Sequence, residues 1–109
     1  MRRIGQVIRL RPERAEEYER LHAAVWPEVL ARITASGIRN YTIYLSRPEM
    51  LLFATWEYHG DDFAGDMEDM KADPATQRWW QLTDPCQEPL IGRLEGEWWS
   101  PMAEIFYHG

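Results

Sequence analysis

The order in which strand-like and helix-like segments follow one another most constrains what this chain can fold into. Alternating apolar residues with β-branched or aromatic side chains predict strands, and apolar residues three or four positions apart predict helices. The predicted strands cover residues 4–10, 40–45, 50–58 and 102–107, and the predicted helices start at Pro12, Pro27, Asp61 and Asp73. The segment 85–99 has no such pattern, and we predict that it is irregular.

Proline and glycine mark the ends of the predicted helices. Pro12 stands in a first helical turn, where its missing N–H costs nothing. Pro27 follows Trp26, and a proline inside a helix removes a hydrogen bond and clashes with the preceding turn. We therefore expect a break there, and a second helical piece that ends at Ser36-Gly37, where glycine can adopt the left-handed capping conformation.

Strand, helix, strand, strand, helix, strand is the order of the ferredoxin-like βαββαβ arrangement. It implies an α+β fold in which an antiparallel sheet carries helices on one face, with residues 1–109 as a single domain. The other face of the sheet then needs a cover, and a second copy of the chain is the simplest one. We therefore expect a homodimer built sheet to sheet, which is a dimeric α+β barrel.

The charge and the cysteine content exclude several classes of partner. The net charge is -6, so phosphate backbones and anionic membrane surfaces would repel the chain. We expect no nucleic acid and no membrane as partners. Cys86 is the only cysteine, so no internal disulfide can form, and charged residues interrupt the N-terminal segment where a signal peptide would be apolar. The predicted location is the cytoplasm.

Motifs for metal, nucleophilic or phosphate chemistry are absent from the sequence. The three histidines do not have the spacing of metal ligands, and no Gly-x-Ser-x-Gly elbow occurs. The seven glycines are dispersed rather than gathered in a phosphate-binding loop. We therefore expect neither a metal nor a cofactor, which leaves acid–base chemistry as the type of catalysis to consider.

His22 is the candidate for acid–base chemistry. It lies four residues after Tyr18, on the same face of the first predicted helix and just before the break at Pro27. A histidine titrates near neutral pH, so it can both give and take a proton. The alternative is a helix-surface histidine that a neighbour satisfies, and position alone favours this alternative.

Aromatic residues are the other candidates for a site. Trp79 and Trp80 are adjacent on a predicted helix, so their rings point about 100° apart. One ring can pack inward while the other lines a cleft, where it would suit the apolar C–H face of a sugar. The alternative is that both are core residues. Tyr41 lies near the start of a predicted strand, where a tyrosine is usually half-buried.

Several separate segments together point to a known family. The segments are Tyr18-x-x-x-His22, His22-x-x-x-Trp26-Pro27-Glu28, Gly37-x-x-Asn40-Tyr41-x-Ile43-Tyr44-Leu45, Leu51-Leu52-Phe53-Ala54, Gln77-Arg78-Trp79-Trp80 and Phe106-Tyr107. In this order they resemble the L-rhamnose mutarotase family, and the similarity extends over about residues 2–107. Any one of these segments alone would not be specific.

The resemblance implies a fold, an activity and a set of site residues. Members of the family are dimeric ferredoxin-like proteins that interconvert the α and β pyranose anomers of L-rhamnose without a metal or an organic cofactor. The family's acid matches His22, and its substrate-binding residues match Tyr18, Tyr41, Trp79 and Trp80. The segment 87–99, with Trp98-Trp99, departs from the family pattern and bears on which 6-deoxy sugar fits, L-rhamnose or a relative such as L-fucose.

Two other functions remain open from the sequence. Cofactor-independent monooxygenases and polyketide cyclases also resemble dimeric ferredoxin-like barrels and use His, Tyr and Trp in an apolar cleft. A non-catalytic sugar-binding dimer would carry the same residues as part of its core. His22 separates these possibilities, because a binding module would take up sugar without accelerating the exchange of its anomers.

Overall fold

The computed structural model describes residues 1–109 and contains five strands and four α-helices. The strands are β1 (Arg2–Leu10), β2 (Ile38–Ser46), β3 (Leu51–Tyr58), β4 (Gln87–Glu88) and β5 (Ser100–Met102). The helices are α1 (Ala15–His22), α2 (Pro27–Ala35), α3 (Phe63–Ala72) and α4 (Pro74–Thr83), and short 3-10 turns occupy Pro12–Arg14 and Asp84–Cys86. None of the helices has the length and apolar character needed to cross a membrane.

The sheet has the strand order predicted for a ferredoxin-like α+β fold. β3 lies between β2 and β1, and both β4 and β5 pair with the outer edge of β1. Every pairing is antiparallel, with Ile4 opposite Trp56 and Ile8 opposite Leu52. The last strand of the ferredoxin-like order is therefore present as two short pieces on one edge.

The predicted last strand, residues 102–107, is wrong. Pairing on the edge of β1 ends at Met102, and residues 103–109 are exposed and form no strand. Gln87–Glu88, predicted to be irregular, pairs instead with the end of β1. Residues such as Ile105 and Phe106 favour strands only where a pleated, half-buried surface exists, and the chain offers them none.

The predicted break between the first two helices is confirmed, and three of the four predicted helix starts shift by one to three residues. α1 begins at Ala15 rather than Pro12, because Pro12–Arg14 forms a tighter 3-10 turn. The break predicted at Trp26-Pro27 is confirmed, since α1 ends at His22 and α2 begins at Pro27. Gly37 has a φ of 82°, as expected for a left-handed residue after the end of α2.

A bulge in β2 brings three side chains to the same face of the sheet. Asn40 has a φ of 53°, and the pairing with β3 shifts between Arg39 and Thr42. In a regular strand, Ile38 and Ile43 would point to opposite faces, because they are five residues apart. The extra residue of the bulge shifts the alternation by one, so both side chains point to the same face. Tyr41, next to the bulge, joins them on the helix-covered face.

Two apolar clusters lie between the sheet and its helices. One contains Ile8, Leu10, Leu52, Tyr18 and the fully buried Cys86. The other is centred on Ile38, Trp56 and Tyr58 and includes side chains of α3. Members of both clusters also line an open space between them on the helix-covered side of the sheet.

Candidate active site

One cavity of about 450 Å³ lies between the helix-covered face of the sheet and the helices α1, α3 and α4. All five side chains that the sequence indicated as site residues are on its wall: Tyr18, His22, Tyr41, Trp79 and Trp80. They come from three distant parts of the chain. A neighbouring groove along α2 and β2 shares four of them, so the cavity opens towards that side of the molecule as well.

His22 is held at the end of α1 with one nitrogen bound and one free. Its Nδ1 lies 2.8 Å from the Tyr18 backbone carbonyl. A carbonyl oxygen only accepts, so Nδ1 carries the proton and Nε2 is the unprotonated nitrogen, with no hydrogen-bond partner in the protein. Burial lowers the pKa of His22, and the bond to the Tyr18 carbonyl opposes this only in part. A neutral imidazole with a free Nε2 on a cavity wall can act as a base.

Tyr18 packs beside His22 and keeps its proton. Its side chain is 4% exposed, and the two rings are 4.2 Å apart. Burial raises the pKa of the Tyr18 phenol well above its usual range. Its oxygen accepts a hydrogen bond from the side chain of Gln87 at 3.0 Å. At neutral pH Tyr18 is therefore a hydrogen-bond donor and not a charged base.

Tyr41 faces the cavity from the opposite side. Its ring stacks on Trp56 with a centroid distance of 6.2 Å. The residue keeps 42% of its surface exposed, and desolvation of the rest raises the pKa of its phenol above the usual value. Tyr41 is thus a second neutral phenol at the mouth of the cavity.

Trp79 and Trp80 differ in how deeply they are buried. Trp79 is 6% exposed and packs edge-on against His22 at 5.5 Å and against Trp26 at 5.3 Å. Trp80 is half-buried. Both rings line the cavity, so the inward-packed Trp79 also faces the open space. The Asp73 side chain caps α4 by accepting from the Thr76 N–H at 3.0 Å, which fixes the helix that carries both rings.

The sequence and the fold of this chain are both similar to those of known proteins. The sequence model of the L-rhamnose mutarotase family matches residues 3–108. The chain belongs to the L-rhamnose mutarotase family. The L-rhamnose mutarotase of Phocaeicola vulgatus is 35% identical over 113 residues, and that of Escherichia coli O8 is 33% identical over 113 residues. Each of these alignments covers 98% of both chains.

Solved structures agree with the mutarotase fold. The L-rhamnose mutarotase of Formosa agariphila superposes with a TM-score of 0.78 at 19% identity and covers 100% of both chains. Tetracenomycin F2 cyclase of Streptomyces glaucescens reaches 0.69 at 19% identity and covers 100% of this chain and 97% of the cyclase. At this identity the likeness to the cyclase concerns the fold alone. Family membership favours a sugar mutarotase, an isomerase, over the cyclase and monooxygenase readings.

Other residues on the mutarotase cavity were not named as site residues from the sequence. They include Gln6 and Trp56 from the sheet, Met67 and Met70 from α3, Asp84 and Gln87 after α4, and Trp98 and Trp99 from the loop before β5. Strand alternation could have found Gln6 and Trp56, which share a face with Ile8 and Leu52. Trp56 donates to the Gln6 side chain at 3.2 Å.

Asp84 adds a carboxyl group to the wall of this mutarotase cavity, and Trp98 and Trp99 add two indole rings. Burial raises the pKa of the Asp84 carboxyl. The sequence suggested a role for segment 87–99 at the rim of the site, and both Trp98 and Trp99 line the cavity. No group of three or more His, Cys, Asp or Glu side chains converges as metal ligands would.

Proposed function

We propose that this chain, acting as one domain of residues 1–109, interconverts the α and β pyranose anomers of free L-rhamnose, with His22 moving the proton. The observation that carries the proposal is the free Nε2 of a neutral imidazole on the wall of an aromatic cavity. The names of the relatives from Phocaeicola vulgatus and Escherichia coli support the choice of sugar.

The cavity has the mixture of surfaces that a 6-deoxy sugar requires. Indole rings such as that of Trp80 can stack on the apolar C–H face of a pyranose or hold the C6 methyl group. The phenols of Tyr18 and Tyr41 keep their protons and can donate to hydroxyl groups. A methyl group in an apolar pocket contributes roughly 1–3 kcal/mol of discrimination, so a sugar with a hydroxymethyl group there would bind less well.

The proposed reaction opens the ring and closes it again on the other face of the aldehyde. Nε2 of His22 takes the proton of the anomeric hydroxyl while the bond between C1 and the ring oxygen breaks. The imidazolium then gives this proton to the ring oxygen, which leaves the open aldehyde and a neutral histidine. Both oxygens are bonded to C1, so one imidazole can serve both.

The remaining groups assist without changing their protonation. A phenol that donates to the ring oxygen stabilises the negative charge that develops there as the C1 bond breaks. After rotation about the bond next to C1, the same steps in reverse close the ring as the other anomer. This uses His22 as base first and acid second, with Tyr18 or Tyr41 as the hydrogen-bonding partner.

Exchange NMR across a panel of free sugars tests this function. Saturation transfer between the two anomeric protons is measured for L-rhamnose, L-fucose, L-mannose and D-glucose, each with and without enzyme. We expect the largest acceleration for L-rhamnose. Binding of sugar without faster exchange would indicate the non-catalytic module, and turnover of a polycyclic aromatic with no effect on sugars would favour the cyclase.

We also propose that the chain works as a homodimer joined through the face of the sheet that carries no helix. Phe53 and Tyr44 lie opposite each other on this face, since their neighbours Leu52 and Ala54 point to the helices. Tyr44 is 62% exposed, and the tail beyond β5 adds further exposed apolar side chains. A second copy covers both features at once.

Sedimentation equilibrium of the 12.9 kDa chain tests the dimer. Tyr44→Glu is expected to shift the protein towards monomer, while Leu82→Glu, which adds the same charge to an exposed site on α4, is expected to leave the dimer intact. A wild-type monomer at micromolar concentration would refute the proposal.

The proposed location is the cytoplasm. Cys86 is a buried free thiol, which is ordinary in a reducing compartment. Fractionation of cells that express the native gene tests this, and activity recovered in an extracellular or periplasmic fraction would contradict it.

A further inference from the structure

Gln87 and Trp98 connect the loop before β5 to Tyr18 through two hydrogen bonds. The indole Nε1 of Trp98 donates to Oε1 of Gln87 at 2.7 Å, and Nε2 of Gln87 donates to the Tyr18 hydroxyl oxygen at 3.0 Å. Gln87 is 3% exposed, so its amide has little access to water. These three side chains are 69 and 11 positions apart in sequence, and all of them line the cavity.

The direction of both bonds follows from the chemistry of the groups. An indole N–H can only donate, so the end of the Gln87 amide that faces Trp98 must be the oxygen. The other end is then the NH₂ group, which donates to the phenol oxygen. Trp98 thereby selects one of the two orientations of the Gln87 amide.

The same argument assigns the proton of the Tyr18 hydroxyl. Its oxygen already accepts from Gln87, and no protein group accepts its proton. The proton is therefore available to a ligand in the cavity. If the amide were turned over, its oxygen would face the phenol and would compete with the ligand for that proton.

We propose that Gln87 and Trp98 are positioning residues, which hold the Tyr18 phenol as a hydrogen-bond donor to the sugar. This inference rests on the proposed function, in which Tyr18 contacts the substrate. It assigns a role to a buried glutamine and to a tryptophan of the loop before β5.

Gln87→Glu reverses one bond and keeps the other. Both carboxylate oxygens accept, so the bond from Trp98 can remain while the Tyr18 hydroxyl turns to donate to Glu and away from the sugar. We expect kcat/KM for anomer exchange to fall about 10-fold, the scale of one lost hydrogen bond. Gln81→Glu, an exposed glutamine on α4, adds the same charge and is expected to keep the wild-type rate.

Trp98→Phe provides a second variant that does not bury a charge. It keeps an aromatic ring but removes the indole N–H, so the amide of Gln87 can adopt either orientation. We expect a smaller loss, about 2- to 3-fold, because one of two orientations still leaves the phenol free to donate. Thermal unfolding and circular dichroism identify any variant that fails to fold.

A double-mutant cycle with Tyr18→Phe decides whether these residues act through the phenol. We expect Tyr18→Phe to lower kcat/KM about 10-fold, and we expect Gln87→Glu and Trp98→Phe to cause no further loss in that background. Full additivity, or unchanged exchange in the two single variants, would overturn the positioning role. Unchanged exchange in Tyr18→Phe itself would instead show that the proposed contact between Tyr18 and the sugar is wrong.

Discussion

Replacing His22 with asparagine separates proton transfer from the packing around it. The amide nitrogen of asparagine can take the position of Nδ1 and donate to the Tyr18 carbonyl, a bond of 2.8 Å in the native chain. What disappears is Nε2, the nitrogen without a partner. General acid–base catalysis contributes about 10²–10⁴-fold, which is about 2.7–5.4 kcal/mol of barrier at 1.36 kcal/mol for each factor of ten.

The assay is saturation transfer between the two anomeric protons of L-rhamnose at constant buffer, with the spontaneous rate subtracted. We expect His22→Asn to lose exchange by that factor while its affinity for the sugar and its melting temperature stay near the native values. A variant that exchanges anomers at the native rate with unchanged affinity would refute the assignment of His22.

The pH dependence tests the order of the proton transfers. Burial lowers the pKa of His22 below its reference of about 6.5, so exchange should rise with pH through a value below 6.5 and level off near pH 7. The unfolded chain takes up this proton at a higher pH than the folded chain, so stability falls as the pH is lowered through the same range. A rate that decreases as pH rises through this range would show that the imidazolium acts first.

Two further substitutions distinguish a packing role from a binding role, and a third tests the cap of α4. Trp79→Ala should destabilise the fold by about 3–5 kcal/mol, because the ring is 6% exposed and packs on His22 and Trp26; chemical denaturation measures this. Trp80→Ala should mainly weaken sugar binding, by about 1 kcal/mol in titration calorimetry, and an unchanged affinity with a large loss of stability would make Trp80 a core residue. Asp73→Ala removes the cap of α4 and should cost about 1 kcal/mol, or roughly 4–8 °C in Tm; an unchanged Tm would show that the cap contributes nothing.

The last predicted strand, which does not form, and the bulge in β2 are two features that local sequence patterns did not predict. Residues 102–107 have the composition of a strand, but their pairing with β1 stops where Met102 lies opposite Gly5, and residues 103–107 do not pair with the remaining edge beside Arg2–Ile4. The positive φ at Asn40 changes which face the following side chains occupy, and no alternation rule predicts such a shift.

Local chemistry in the sequence by itself determined the order of the elements up to α4, the break at Pro27 and the shared helix face of Tyr18 and His22. These follow from proline geometry and helical spacing, which act over a few residues. Only the tertiary structure decided that Gln87 and Trp98 reach Tyr18 through hydrogen bonds. Hydrogen bonds between distant side chains depend on how the sheet and its helices pack around a common cavity. The spacing of residues in the sequence does not show which distant residues meet there.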